Sequence, residues 1–187
     1  MSGERWIVCG LGNPGDQYSL TRHNIGQLVV DYMAGTSSFA PHKSKTNIAD
    51  IKVAGHPVTL VKSQGFMNET GGPLRSIVDF YKVTPDHIIV IHDELDIPFK
   101  EIRLKLGGGD NGHNGLKSVS ANLSPNYYRV RMGVGRPNGP MDPADFVLQK
   151  FNSSESADLE DFVARGALAA EKLIEKGLDQ AQNEFNK

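Results

Sequence analysis

Histidine, carboxylate and asparagine side chains recur in this chain in short polar stretches. Asn13 lies in "GLGNPG", His23 in "TRHN" and Asn68 at the end of "SQGFMN". His92, Asp93, Glu94 and Asp96 fall in "HDELD", and His113 and Asn114 in "GGGDNGHNG". A histidine oriented by a carboxylate can act as a general base on water. Asparagine offers a donor and an acceptor without charge, so it can hold amides without reading side chains. A covalent route is poorly supplied, because the one thiol, Cys9, sits in an apolar run and no serine occupies a GxSxG elbow. Each residue alone has an ordinary explanation: a surface histidine, an Asn-Gly turn, a carboxylate at a strand end. Their shared placement carries the argument.

That placement depends on the elements between them. Apolar runs and alternation predict strands over 6–9, 48–53, 58–61, 87–92, 102–106 and 129–134. The run 88–91 is continuously apolar, as expected for a strand covered on both faces. Helical spacing is found over 25–33, 73–81, 116–123 and 144–150, and a long last helix starts at Ser153 or Ser154, either of which could cap it. Its stripe of Leu159, Phe162, Val163, Ala170, Leu173, Ile174 and Leu178 reads as core packing. "SLTRHN", "TSSFAPHKSKTN" and "GRPNGPMDP" read as exposed loops. The alternation implies one α/β domain over 1–187, three-layered, with a twisted, mixed and mostly parallel sheet flanked by helices. The polar stretches then follow the carboxyl ends of strands, where such sheets place their sites.

Gly10, Gly12 and Gly15 form GxGxxG directly after the first strand. A dinucleotide site would start its helix inside that loop and place an acidic residue about 20 positions later, closing a second strand. Here Pro14 interrupts the loop, the helix waits until about residue 24, and Asp31 falls inside the helix. The dinucleotide reading is rejected. A P-loop fails too, for lack of the Lys-Ser or Lys-Thr ending.

Composition narrows the setting. With 39% hydrophobic and 22% charged residues, the 187-residue chain has the make-up of an ordinary globular domain. No apolar stretch approaches the roughly 20 residues of a membrane span, and the N-terminus lacks signal-peptide character. With one cysteine and no disulfide framework, a cytoplasmic location is expected. The net charge of −2 averages unlike segments: residues 100–136 hold seven basic and two acidic side chains, a net of +5, and residues 137–187 five and ten, a net of −5. A basic face able to meet phosphate is one outcome of such asymmetry.

"GLGNPG", "TRHN", "GFMN", "HDELD" and "GGGDNGHNG", in this order and spacing, resemble the bacterial peptidyl-tRNA hydrolase family, from about residue 5 to 150 and on towards the end, nearly all of the chain. The resemblance implies a cytoplasmic, usually monomeric enzyme without metal or cofactor. It would cut the ester between a peptide and the 3′ ribose of tRNA, recycling tRNA from prematurely released chains. By the same resemblance His23 is the catalytic base and Asp93 holds it. Asn13 helps separate blocked from free aminoacyl groups, and Tyr18, Phe66, Met67, Asn68, His113 and Asn114 contact substrate. Lys105 and Arg131 match residues that hold the tRNA 5′ phosphate. Asp110 and Asn111 receive no role.

The residue types agree with this chemistry. The start of the helix after residue 24 disfavours an imidazolium at His23 while Asp93 favours it, so titration near neutrality is expected. The glycines of "GGGDNGHNG" would let backbone approach a ligand, or simply make a tight turn, and the following helix N-terminus would favour an oxyanion. Two other classes fit some of the residues. His92, Asp93, Asp96 and His113 could be imagined as metal ligands, although their spacing matches no standard zinc pattern. A non-catalytic RNA-binding protein on the same scaffold is the second.

Overall fold

The apolar runs starting at Trp6 and Ile88 become neighbouring parallel strands, and the rest of the sheet grows outward from them. In the computed structural model, which describes residues 3–186, the strands are β1 (Trp6–Gly10), β2 (Ala40–His42), β3 (Thr46–Val53), β4 (His56–Ser63), β5 (Ile88–Glu94), β6 (Ile102–Leu106) and β7 (Tyr128–Gly133). Their order is β2-β3-β4-β1-β5-β7-β6. Strands β4, β1, β5 and β7 form a parallel centre, and β3 and β6 run antiparallel to their neighbours.

Helices α1 (Ile25–Ala34) and α5 (Ser153–Lys176) cover one face, and α2 (Gly71–Tyr81) and α3 (Asn114–Asn122) the other. Alternation along β5 serves both layers: Ile89 and Ile91 join the core with Val29, Val30, Phe162 and Ala170, while Ile88 and Val90 join Leu74, Ile77, Leu116 and Val119. The three-layer expectation is thus met by side chains on both faces of one strand. A short α4 (Pro143–Val147) precedes α5, and α6 (Leu178–Phe185) follows it.

The glycines of the first loop and helix serve packing. A Cβ on Gly10 would lie 2.2 Å from the Gly26 carbonyl oxygen, and one on Gly26 would lie 2.1 Å from that of Ile91. Helix α1 therefore rests directly on backbone at the β1–β5 junction.

Five expectations need correction. "SLTRHN", expected as an exposed loop, ends in the 3-10 turn Arg22–Asn24 and buries Thr21, Arg22 and Asn24. The stretch expected as a loop over 36–47 contains β2, a three-residue strand on the outside of β3. The cap of α5 is Asn152, not Ser153 or Ser154: its side chain accepts from Glu155 N, and the Glu155 side chain accepts from Asn152 N in return. The last helix is two, because Gly177 (φ 88, ψ 172) leaves helical geometry between Lys176 and Leu178. Helix α4 ends at Val147 rather than 150, since Gln149 O accepts from Arg22 N and Lys150 pairs with Thr21.

At the β6 border, α6 supplies strand-like partners through side chains. Leu104 N donates to Asn186 Oδ1 at 2.7 Å, and Leu104 O accepts from Asn186 Nδ2 and Gln182 Nε2.

Candidate active site

Two turns beside the carboxyl ends of β1 and β5 are locked together by one asparagine. Asn24, the last residue of "TRHN", is buried, and its side chain both accepts from Asn13 N and donates to Asn13 O, each at 2.9 Å. The loop bearing Asn13 and the 3-10 turn bearing His23 (Arg22–Asn24) are thereby held in register. Asn24 itself is a residue that motif reading passed over, although it stands in the quoted motif.

Asp93, at the end of β5, binds two histidines. His23 Nδ1 donates to Asp93 Oδ2 at 2.8 Å, and His113 Nε2 donates to Asp93 Oδ1 at 2.7 Å. The tautomers follow from the remaining bonds. His113 Nδ1 accepts the backbone N–H groups of Gly115 and Leu116, so its proton must sit on Nε2. His23 spends Nδ1–H on Asp93, which leaves Nε2 as a lone pair on the pocket side.

Electrostatics agree with that assignment. Burial alone would lower the His23 pKa, but the Asp93 charge and hydrogen bond outweigh it, and the net shift is upward. For Asp93 burial raises the pKa, and the two histidines overcome this, holding the carboxyl well below its usual range. His92 is buried and lowered to about 3, chiefly by desolvation and then by its neighbour His113. It stays neutral and donates from Nδ1 to the Asp93 carbonyl. Burial pushes the Cys9 thiol up to about 12, which removes it as a nucleophile.

An open pocket of about 740 Å3 has His23 and Asp93 in its lining. Asn13, Phe66, Met67, Asn68, His113 and Asn114 line it together with His23 and Asp93. Tyr18 does not; it packs edge-on against Phe66, with ring centroids 6.3 Å apart. Asn13 Oδ1 accepts from Met67 N at 2.7 Å, which fixes the orientation of the amide and leaves Nδ2 as the group to offer a ligand. Among the described residues, the side-chain amides of Asn68 and Asn114 have no hydrogen-bond partner. Glu94, Leu95, Asn111, Gly112, Arg136, Asp142, Pro143, Ala144, Val147 and Leu148 also line the pocket. Glu94 and Leu95 stand in "HDELD", whereas Arg136, Asp142 and Pro143 fall in a stretch read only as a loop, and Val147 and Leu148 look like ordinary helix-face residues.

The oxyanion role expected of the α3 N-terminus is not supported. His113 caps that helix, and its Nδ1 already occupies the Gly115 and Leu116 amides. The glycine run before it wraps a buried guanidinium, as Arg129 donates to the carbonyls of Gly108, Gly109 and Pro125. Of the two explanations for these glycines, the tight turn therefore holds.

The imagined metal set is not assembled either. Asp96 is engaged by Arg136 and Asn111, and His92 by the Asp93 backbone. His23, Asp93 and His113 do offer ligand atoms within 4.8 Å of one another. Their facing atoms are already joined by N–H···O bonds, and His113 has its lone pair committed to backbone, so this donor set is built as a hydrogen-bond relay.

Lys105 and Arg131 lie outside the pocket. In the β6–β7 pair Lys105 faces Arg129 and Arg103 faces Arg131, so strand alternation puts all four on one face. Burial first, then the other basic groups, lowers the pKa of Lys105, while burial lowers that of Arg131. Glu94, which lines the pocket, counteracts both shifts.

The α/β sheet thus presents a carboxylate-held histidine to an open, amide-lined pocket. A family model described as peptidyl-tRNA hydrolase matches residues 7–187. The chain belongs to the peptidyl-tRNA hydrolase family. It is 50% identical over 184 residues to a peptidyl-tRNA hydrolase of Mycolicibacterium smegmatis, covering 96% of both chains. It is 49% identical over 184 residues to one of Frankia casuarinae, covering 97% of this chain and 93% of the relative. The crystal structure of peptidyl-tRNA hydrolase from Acinetobacter baumannii superposes with a TM-score of 0.88 at 33% identity, covering 97% of this chain and 94% of that one. Among the described residues, no helix is long and apolar enough to cross a membrane.

Proposed function

We propose that this protein hydrolyses the ester between a peptide, or an N-blocked amino acid, and the 3′ ribose of tRNA, with His23 as the general base. The observation that supports the proposal is the 2.8 Å bond from His23 Nδ1 to Asp93, which leaves the other ring nitrogen of a pocket-lining histidine free to take a proton. His23 Nε2 takes a proton from water as the water oxygen attacks the ester carbonyl. Asp93 stabilises the imidazolium that forms, and its bond to His113 keeps the carboxylate from turning. The imidazolium then returns the proton to the departing 3′ oxygen, giving free peptide acid and tRNA.

The amides of Asn13, Asn68 and Asn114 hold the acyl part. Asn13 offers Nδ2–H, which accommodates the carbonyl of a blocked amino group and disfavours a free ammonium, itself only a donor. This accounts for a preference for N-blocked substrates. Phe66 and Met67 supply apolar contact, with Tyr18 supporting Phe66 from behind. Lys105 and Arg131 meet the tRNA 5′ phosphate, while the acceptor end enters the pocket. The protein acts as a monomer in the cytoplasm, and neither metal nor cofactor takes part.

The test is release of acetyl-amino acid from acetyl-aminoacyl-tRNA in the presence of EDTA, comparing the natural protein with His23→Ala. Turnover by the natural protein and a fall in kcat of at least about 100-fold, the lower end of what a general base supplies, are expected. Binding of tRNA without cleavage by the natural protein would leave an RNA-binding module. Equal cleavage by both proteins would remove His23 from its role.

A further inference from the structure

Arg22, one residue before the proposed base, lies outside the pocket and takes no part in the chemistry above, yet it is 4% exposed. Its guanidinium is held on three sides. Nη2 donates to Glu155 Oε1 at 2.6 Å, and Nη1 donates to the Phe146 carbonyl at 3.2 Å. The same group lies 3.9 Å from the Phe146 ring centroid and 5.8 Å from that of Phe151. Its backbone N–H donates to Gln149 O at 3.1 Å. Glu155 is fixed in turn, because the same Oε1 accepts from Asn152 N in the cap of α5.

These contacts join three parts of the molecule. Arg22 belongs to the turn that carries His23. Phe146 belongs to α4, whose Pro143, Ala144 and Val147 form a wall of the pocket. Glu155 and Asn152 start α5, the long helix packed on α1. A buried ion pair is a poor way to gain stability, since desolvation offsets most of its attraction. A flat guanidinium that stacks on a ring and bonds in two directions is, however, a good way to fix relative positions.

We infer that Arg22 is a positioning residue: by clamping α4 and the start of α5 to the His23 turn, it sets the distance between the base and the pocket wall. The inference rests on the assignment of His23 as base. His23 is faced by Asp93 from β5, by His113 from the start of α3 with ring centroids 4.8 Å away, and across the pocket by Glu94, Arg136 and Asp142. Glu155 stands behind Arg22. An Arg22→Lys change keeps every one of these charges, so a displaced titration of His23 would report altered geometry rather than a lost charge.

The experiment measures kcat, and the pH dependence of kcat/KM, for Arg22→Lys on acetyl-aminoacyl-tRNA, at a temperature well below its Tm. The expected result is a kcat lowered at least about tenfold, within the 10²-fold that a 1 Å misplacement can cost. The acid limb should move to lower pH, because a loosened His23 loses part of the support of Asp93. A variant of lowered Tm whose kcat and acid limb match those of the natural protein would reduce Arg22 to a stabilising role and overturn the inference. Should Arg22→Lys fail to fold, Phe146→Leu decides through kcat alone, since it removes the ring stacked on the guanidinium and leaves the cap of α5 intact. A lowered kcat supports positioning, and a native kcat overturns it. The natural protein is assayed alongside. Absence of turnover there would sink the assignment of His23 together with this inference, whereas natural turnover with unaltered variants sinks this inference only.

Discussion

His23 is pulled in opposite directions, and the balance sets the pH range in which it works. Burial favours the neutral ring, while the Asp93 charge and hydrogen bond favour the cation and prevail, so the pKa is raised. The neutral ring is the form that accepts a proton from water. The rate should therefore rise with pH and reach half its plateau above the ordinary histidine value of about 6.5. A pH profile of kcat/KM checks this, and Asp93→Asn should displace the limb to lower pH, because burial then acts unopposed. The same change should lower kcat by about 10²–10⁴-fold, the contribution of a well-oriented general base. An acid limb in Asp93→Asn at or above that of the natural protein would contradict the balance. The residue types of this site were legible in the sequence, as histidine, carboxylate and amide in repeated polar stretches. The tautomers were not, because they depend on which backbone N–H groups end up beside His113 Nδ1 and Asn13 Oδ1. The expected oxyanion site at α3 failed for the same reason: nothing in "GHNG" reveals that the histidine caps its own helix.

Helix α1 presses on the sheet through glycine, and that contact fixes how far the His23 turn stands from Asp93. Gly26→Ala would bring a methyl group 2.1 Å from the Ile91 carbonyl oxygen, a backbone atom in the centre of the sheet. A loss of about 1–3 kcal/mol or more in urea unfolding is expected, as for overpacking elsewhere. Gly72→Ala, in the first turn of α2 with open space around it, is the control and should be neutral or stabilising by up to about 1 kcal/mol. Equal effects at the two glycines would refute close packing as the reason for Gly26. The principal strands and helices were legible because their apolar periodicity is long enough to resist local exceptions. Strand β2 was not, since three exposed or half-buried residues between Phe39 and Lys43 carry no such pattern and form a strand through pairing with β3. Nor was the break at Gly177, where the apolar stripe continues across a glycine that takes positive φ.

Over the whole molecule, the asymmetry of charge becomes a surface with direction. The net positive segment was visible in the sequence, but its geometry required the β6–β7 register, which brings Arg103, Lys105, Arg129 and Arg131 to one face and then withdraws Arg129 to hold the glycine turn. Lys105 and Arg131 make no ion pair among the described residues. Lys105→Glu should raise KM for acetyl-aminoacyl-tRNA and lessen the slope of log binding constant against log salt by about one, as for a lost phosphate contact. An unchanged slope would make Lys105 a merely solvated lysine. The same margin of the sheet has another property. A border strand can recruit a strand from a second molecule through its free N–H and C=O groups, the first step of fibre growth. On one border Pro41 has no N–H to give. On the other, the amide and carbonyl of Leu104 are occupied by Asn186 and Gln182. At Pro41 and at Leu104 the two borders of the folded sheet therefore offer an incoming strand no free N–H.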